Sequence, residues 1–234
     1  MFGGKWVTLL SFGMNGQQGY RKRYPYRVMA YDPKKHHRRS IRLRGHNYSG
    51  GGAYFVTICA QDKQCLFGSV ANDEMIRNEP GQIVQGVWEA LPQRFPTVVL
   101  DAFQLMPNHL HGIFVIPGPG LEPSLARATG APVIEHGPKP VGAASRGTAS
   151  HTSTAMGDVV GAFKSISIIA VNRLQDRTAR RLLQENFFEH IIRSVDELEK
   201  IRDYIRQNPT RWHEDPENPD RPPGDWPETE WGWL

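Results

Sequence analysis

Residues 97–105 and 109–116 are both rich in β-branched and aromatic side chains, and only Met106-Pro107-Asn108 lies between them. Two strands joined so tightly leave no room for a crossover, so they are expected to pair antiparallel. Along the second strand side chains alternate between faces, so His109 and His111 point one way and Leu110 the other, into a core. Neutral imidazole nitrogens on one face can grip a single divalent metal. Gly112, just beyond, leaves room for something to approach the backbone closely. A polar strand face with two ordinary histidines would show the same His-x-His pattern, so the remainder of the chain has to decide between the two readings.

Residues 53–59, Ala-Tyr-Phe-Val-Thr-Ile-Cys, read as a buried first strand after a Gly-rich turn at 48–52. From Pro80, Ile83, Val84, Val87, Trp88 and Leu91 recur at helical spacing, with Trp88 facing the core and Pro92 where the helix should stop. Helical spacing returns at Val160, Phe163, Ile166, Ala170 and Leu174, with Lys164 and Asn172 as polar exceptions. Residues 187–192 read as a fourth strand. Ser194 and Glu197 then form a capping box, with Asp196 adding a second acid to the first turn. Leu198, Ile201 and Ile205 make the apolar stripe of that last helix, and Pro209 biases Asn208 away from helical geometry, ending it. Tyr204 and Asn208, four residues apart, share one face of it.

The order β-α-β-β-α-β plus a C-terminal helix is that of an α+β sandwich. It matches the ferredoxin-like split β-α-β arrangement, an antiparallel sheet in which strands one and three are central neighbours. Three segments fall outside this frame. Residues 1–33 are expected to be a flexible leader, 34–212 the domain, and 213–234 an acidic tail containing Trp226, Trp231 and Trp233. Within the domain, about 118–155 turns to Gly, Pro, Ala, Ser and Thr with no apolar period and is expected to be a disordered insertion.

Charge is distributed unevenly. The net balance is +4 with a pI near 9.1, but between 21 and 48 Lys and Arg surround the single acid Asp32, whereas from 213 to 234 acids surround Arg221 alone. The basic end suits a polyanionic partner. The two cysteines, Cys59 and Cys65, are too few for a disulfide framework or a four-cysteine zinc site, so a reducing cytoplasm is expected, with no membrane span.

Several stretches, in order, resemble the HUH single-strand DNA endonucleases. The likeness is to the single-tyrosine transposases of small insertion sequences and their relatives associated with repetitive extragenic palindromes. The matching text is Arg39-Ser40-Ile41-Arg42-Leu43, Tyr48-Ser49, residues 52–58, residues 106–112, Phe163-Lys164-Ser165, residues 189–193 and residues 204–209. The resemblance implies that His109 and His111 supply two ligands to Mg²⁺ or Mn²⁺, Asn208 a third through its side-chain oxygen, and that Tyr204 is the nucleophile. It implies attack on a phosphodiester near a DNA hairpin, giving a 5′-phosphotyrosine and a free 3′-hydroxyl, with the bound metal acting as Lewis acid.

Single-stranded DNA with hairpin or palindromic structure is the expected partner. Arg38, Arg39, Arg42, Arg44 and Lys164 are its candidate contacts, and His190 is a candidate support of the site. The resemblance further implies a bacterial cytoplasmic, nucleoid-associated protein, working as a homodimer with the tyrosine helix exchanged or as a monomer with it docked at home. Histidine-triad nucleotide hydrolases would need a third histidine and metallo-hydrolases an acid at position 113, where Ile113 stands. A domesticated hairpin-binding protein without transposition activity is the remaining alternative.

Overall fold

The computed structural model describes residues 47–48, 50–133, 155–178 and 180–221. Four strands, β1 (Gly52–Cys59), β4 (Val99–Leu105), β5 (His109–Ile116) and β6 (Phe188–Ile192), form one antiparallel sheet in the order β4-β5-β1-β6. This is the expected split β-α-β order, with the first and third strands of the motif side by side at its centre. A separate hairpin, β2 (Gly68–Ala71) and β3 (Glu74–Arg77), precedes α1 (Glu79–Glu89) and α2 (Leu91–Arg94). The remaining helices are α3 (Pro123–Thr129), α4 (Met156–Leu174) and α5 (Val195–Gln207). No helix among the described residues is long and apolar enough to cross a membrane.

Both faces of the sheet are covered, which is why β5 is buried at all of its positions. Tyr54, Val56 and Ile58 of β1 and Leu110, Phe114 and Ile116 of β5 face α1 and α4. Ala53 and Phe55 with Ile113 and Val115 face α3 and α5. Period-two alternation therefore assigns His109 and His111 to the α5 side, beneath the helix that carries Tyr204.

Gly112 behaves differently from the sequence expectation. A Cβ there would lie 2.5 Å from two carbons of the Trp88 indole, on the α1/α4 side, so the space is taken by a core side chain rather than left for a visitor. Trp88 stacks on Phe103 and meets Phe114 and Phe163 edge-on, leaving it little freedom to yield. Gly112→Ala is expected to destabilise the fold by about 1–3 kcal/mol through overpacking, read as a lowered urea midpoint with an unchanged m-value.

Four local expectations are revised. Helix α1 ends before Pro92, which instead occupies the first turn of α2, where a missing N–H breaks no bond. The buried stripe of α4 is Met156, Val159, Val160, Phe163, Ser167 and Val171. Ile166 lies one residue out of phase with it and is 37% exposed, and Leu174, in phase but the last residue of the helix, is 36% exposed. Pro209 does not divert the chain at once, because Asn208 keeps right-handed helical angles (φ −58°, ψ −41°) and the N–H of Arg211 donates to the carbonyl of Gln207 at 3.2 Å. Finally, residues 118–133 are not structureless: Leu125 and Ala126 of α3 pack under α5.

The N-terminal cap of α5 forms as half of the expected box. Ser194 Oγ accepts from the N–H of Glu197 at 3.1 Å, but the Glu197 carboxylate turns to the N–H of Arg193 and to His190 Nε2. The basic arm with Arg38, Arg39, Arg42 and Arg44, residues 134–154 of the expected insertion, and the tryptophans of the tail lie outside the described residues.

Candidate active site

His109 and His111 occupy adjacent same-face positions on β5, opposite Cys59 and Thr57 of β1 respectively. Both are buried, and their Nε2 atoms lie 3.0 Å apart. Two nitrogens bound about 2.1 Å from one ion stand roughly 3.0 Å apart at a right angle and about 3.4 Å apart at a tetrahedral one. The pair is thus spaced for adjacent positions around one cation.

Protonation states follow from the neighbours. The Asn108 amide nitrogen donates to the carbonyls of Lys63 at 3.0 Å and Glu217 at 2.6 Å, which turns its oxygen toward His109 Nδ1 at 2.9 Å. A carbonyl oxygen can only accept, so His109 carries its proton on Nδ1 and presents a bare lone pair at Nε2. Burial lowers His109 to about 4, and burial together with His109 lowers His111, so both are neutral at physiological pH, as ligands must be. The Thr57 hydroxyl, 2.8 Å from His111 Nδ1, can donate or accept and so serves either tautomer of that ring.

Asn108 is accordingly a positioning residue, and nothing in the sequence reading gave it a role. Asn108→Ala is expected to weaken Mn²⁺ binding about 10–100-fold, the usual effect of removing a group that orients a ligating imidazole. Asn108→Asp, which keeps an acceptor for Nδ1–H, should retain more of the affinity; calorimetric titration of the two variants separates tautomer control from backbone anchoring.

Oxygen donors complete the set. Asp215 is 8% exposed, with a carboxylate oxygen 3.6 Å from His109 Nε2. Because His109 is neutral and the distance is long, this contact is neither an ion pair nor a hydrogen bond. Burial raises the Asp215 carboxyl to about 6. Asn208 Oδ1 is buried without a hydrogen-bond partner, an arrangement that ordinarily calls for an explanation, and the Asn208 amide lies against both His109 and Tyr204. His109, His111 and Asp215 form a buried group whose ligand atoms all lie within 4.8 Å of one another, and this group can hold a metal ion. The orphaned oxygen of Asn208 fits the same purpose.

Tyr204 reaches this centre from α5. Its hydroxyl is 3.3 Å from His111 Nε2, and its ring meets Phe55 edge-on at 6.2 Å between centroids. Burial and the charge of Asp215 raise the phenol above its ordinary value. The helix is held in place by Arg202, which donates to both carboxylate oxygens of Asp101 on β4 and to the carbonyl of Ala128 in α3. One chain therefore supplies both histidines, the tyrosine and the acid. They line a cavity of about 350 Å³ together with Thr57, Cys59, Gln184, Asn186, Phe187, Phe188, Pro216 and Glu217.

Two sequence candidates sit apart from the histidines. Lys164 donates to the carbonyls of Gln184, Glu185 and Asn186 at 2.8–3.2 Å, pinning the loop that forms one wall of the cavity, and burial lowers it to about 8. His190 pairs with Glu197 at 2.6 Å across the β6–α5 junction. Asp215 was missed by sequence reasoning because it lies past Pro209 in a stretch assigned to the acidic tail. Turns at 208–211 and one short 3-10 turn at Trp212–Glu214, too brief to show a period, bring it back to the sheet.

Fold and site together define an α+β domain of the split β-α-β type with two histidines, a carboxylate and a tyrosine around one cavity. No family model matches the chain. It is 38% identical over 189 residues to an uncharacterized protein of Haemophilus influenzae, an alignment covering 79% of this chain and 95% of that one. The chain belongs to the same family as that Haemophilus protein.

Among solved structures it is similar to a REP-associated tyrosine transposase bound to a REP hairpin, with 16% identity, 73% of this chain and 74% of the other covered, and a TM-score of 0.46. A second is a candidate transposase from Deinococcus radiodurans R1, with 13% identity, 70% and 94% covered, and a TM-score of 0.37.

Proposed function

We propose that the protein is a divalent-metal-dependent single-stranded DNA endonuclease and strand transferase that uses Tyr204 as its nucleophile. The observation that carries this reading is the Tyr204 hydroxyl, 3.3 Å from His111 Nε2 at the edge of a buried pair of neutral imidazoles. A tyrosine beside a site able to hold a cation is the combination a phosphodiester attack needs, because an ordinary phenol, with a pKa of about 10, is a weak nucleophile at neutral pH.

His109, His111, Asp215 and Asn208 would hold Mg²⁺ or Mn²⁺. When bound, the ion supplies Lewis-acid stabilisation of charge on the phosphoryl oxygens. The chain's own residues do the rest. Arg202 fixes the helix that aims Tyr204, and Asn108 fixes the lone pair of His109. As a ligand, Asp215 would have its charge offset by the cation, easing the effect that, after burial, most opposes ionisation of the phenol. The phenol oxygen forms a bond to phosphorus as the bond from phosphorus to the 3′ oxygen breaks. The phenol proton is lost, and the departing oxygen gains one to become a free 3′-hydroxyl. The phosphotyrosyl ester conserves the bond energy, so a 3′-hydroxyl can reverse the step and rejoin strands.

DNA contacts by Arg38, Arg39, Arg42 and Arg44 belong to the same proposal. Lys164, with its ammonium donated to three carbonyls, supports the cavity wall instead. Incubating the protein with end-labelled single-stranded hairpin oligonucleotides tests the reading. A denaturation-resistant protein–DNA band that requires Mg²⁺ or Mn²⁺ and vanishes in EDTA is expected. Binding without any such band, under either metal, would leave a hairpin-binding protein.

A further inference from the structure

A second cavity, of about 230 Å³, opens beside the first. Arg177, Arg180 and Arg181 line it with the amide side chains of Asn172 and Gln175, and Asp62 is the one carboxylate among the lining residues. All three arginines are exposed, and none takes part in an ion pair among the described residues. Their segment is nonetheless held in place. Asn172 donates its amide to the carbonyl of Arg180 at 2.9 Å, and the N–H of Arg177 donates to the carbonyl of Asn172 at 2.9 Å. The N–H of Gln61 donates to the carbonyl of Leu182 at 2.8 Å, and Ala60 bridges antiparallel to Leu183. Three guanidinium groups without partners on a pinned backbone are a prepared site for phosphate oxygens, since each offers a planar fork of donors to an anion.

The placement says which phosphates. Gln61 and Leu182 line the arginine cavity, while Cys59 and Gln184 line the cavity of His109 and Tyr204. The two cavities thus lie on either side of the Ala60–Leu183 bridge, two residues apart along each strand. That is about 7 Å between the nearest backbone walls alone; because Val171 and Asn172 of α4 line one cavity and Tyr204 of α5 the other, the path between them is longer and spans several nucleotides at about 3.4 Å of rise each. We infer that the arginine cavity binds backbone phosphates of the same nucleic-acid strand, several nucleotides from the phosphate presented to Tyr204. It sets the register in which that strand enters the centre. This rests on the single-stranded DNA reading above and adds to it a docking site distinct from the basic arm.

The test compares two charge-matched pairs: Arg180→Gln with Arg181→Gln, and as control Arg94→Gln with Arg127→Gln, both exposed and outside either cavity. Binding of a fluorescent single-stranded hairpin oligonucleotide is measured in EDTA, so that it does not depend on the metal centre, across a range of salt. Loss of two phosphate contacts is expected to flatten the slope of log K against log[salt] by about 1.4 and to weaken binding about tenfold or more at low salt. The control pair should bind as the unaltered protein does. Replacing the flanking phosphates by uncharged methylphosphonates should weaken the unaltered protein and weaken the Arg180/Arg181 variant, which keeps Arg177, distinctly less. Equal weakening by both pairs, or a methylphosphonate effect undiminished in the variant, overturns the docking site and leaves the nuclease reading standing. No binding by the unaltered protein would overturn the DNA reading itself, and the docking site with it.

Discussion

Tyr204→Phe should bind metal and DNA as the parent does and form no covalent adduct, a loss of at least about 10³-fold that brings cleavage to background. The substitution deletes one oxygen. The ring keeps its edge-on contact with Phe55 and its packing beneath α5, and the contacts of the hydroxyl, those with His111 Nε2 and the Asn208 amide among them, are lost. A fold defect is therefore not expected, and an unchanged melting temperature beside an abolished adduct separates chemistry from stability. Arg202→Ala makes the complementary case, because it leaves the hydroxyl but removes the clamp to Asp101 and Ala128. It should slow adduct formation while also lowering the melting temperature.

The second large effect is on metal affinity. His109→Ala and His111→Ala should each reduce Mn²⁺ binding by more than about 100-fold, since removing a group that merely orients a ligand already costs about 10–100-fold. Asp215→Asn should also weaken binding, because a neutral amide replaces a carboxylate that burial holds near a pKa of 6. Binding is expected to fall as pH drops through about 6, where the Asp215 carboxyl takes up a proton, and the parent and Asp215→Asn curves should converge below that point. Titration calorimetry across that range measures it. A parent protein whose Mn²⁺ affinity is unchanged by His109→Ala would place the ion elsewhere.

The order of the sheet was legible because each of its strands carries its own signal. The three-residue link at 106–108 forces the β4–β5 pair, and the unbroken apolar run of β1 marks a central strand buried on both faces. The β2–β3 hairpin was not read, although Asn72 and Asp73, both at positive φ, are the residue types such a tight turn selects; its two strands are too short and too exposed to show a period. In α4, apolar residues lie on more than one face, so spacing alone placed Ile166 in a stripe it only borders, and Leu174 follows the stripe but is exposed where the helix ends.

At the site, the shared face of the two histidines follows from strand alternation and that of Tyr204 and Asn208 from helical spacing, whereas the roles of Tyr204 and Asn208 were implied only by the family resemblance. Asp215, Thr57 and the amide of Asn108 are brought in by irregular turns or by a neighbouring strand, and periodicity carries no information about those. Lys164 shows the converse. A lone lysine on an apolar helix looked like a phosphate contact, whereas three loop carbonyls converge on it.

The most direct test of the account is to digest the protein–DNA adduct with nuclease and protease and identify by mass spectrometry the peptide that carries a phosphonucleotide. The account predicts one modified peptide, that containing Tyr204, with the nucleotide joined through its 5′-phosphate. Modification at any other side chain, or an adduct that persists in Tyr204→Phe, would contradict it.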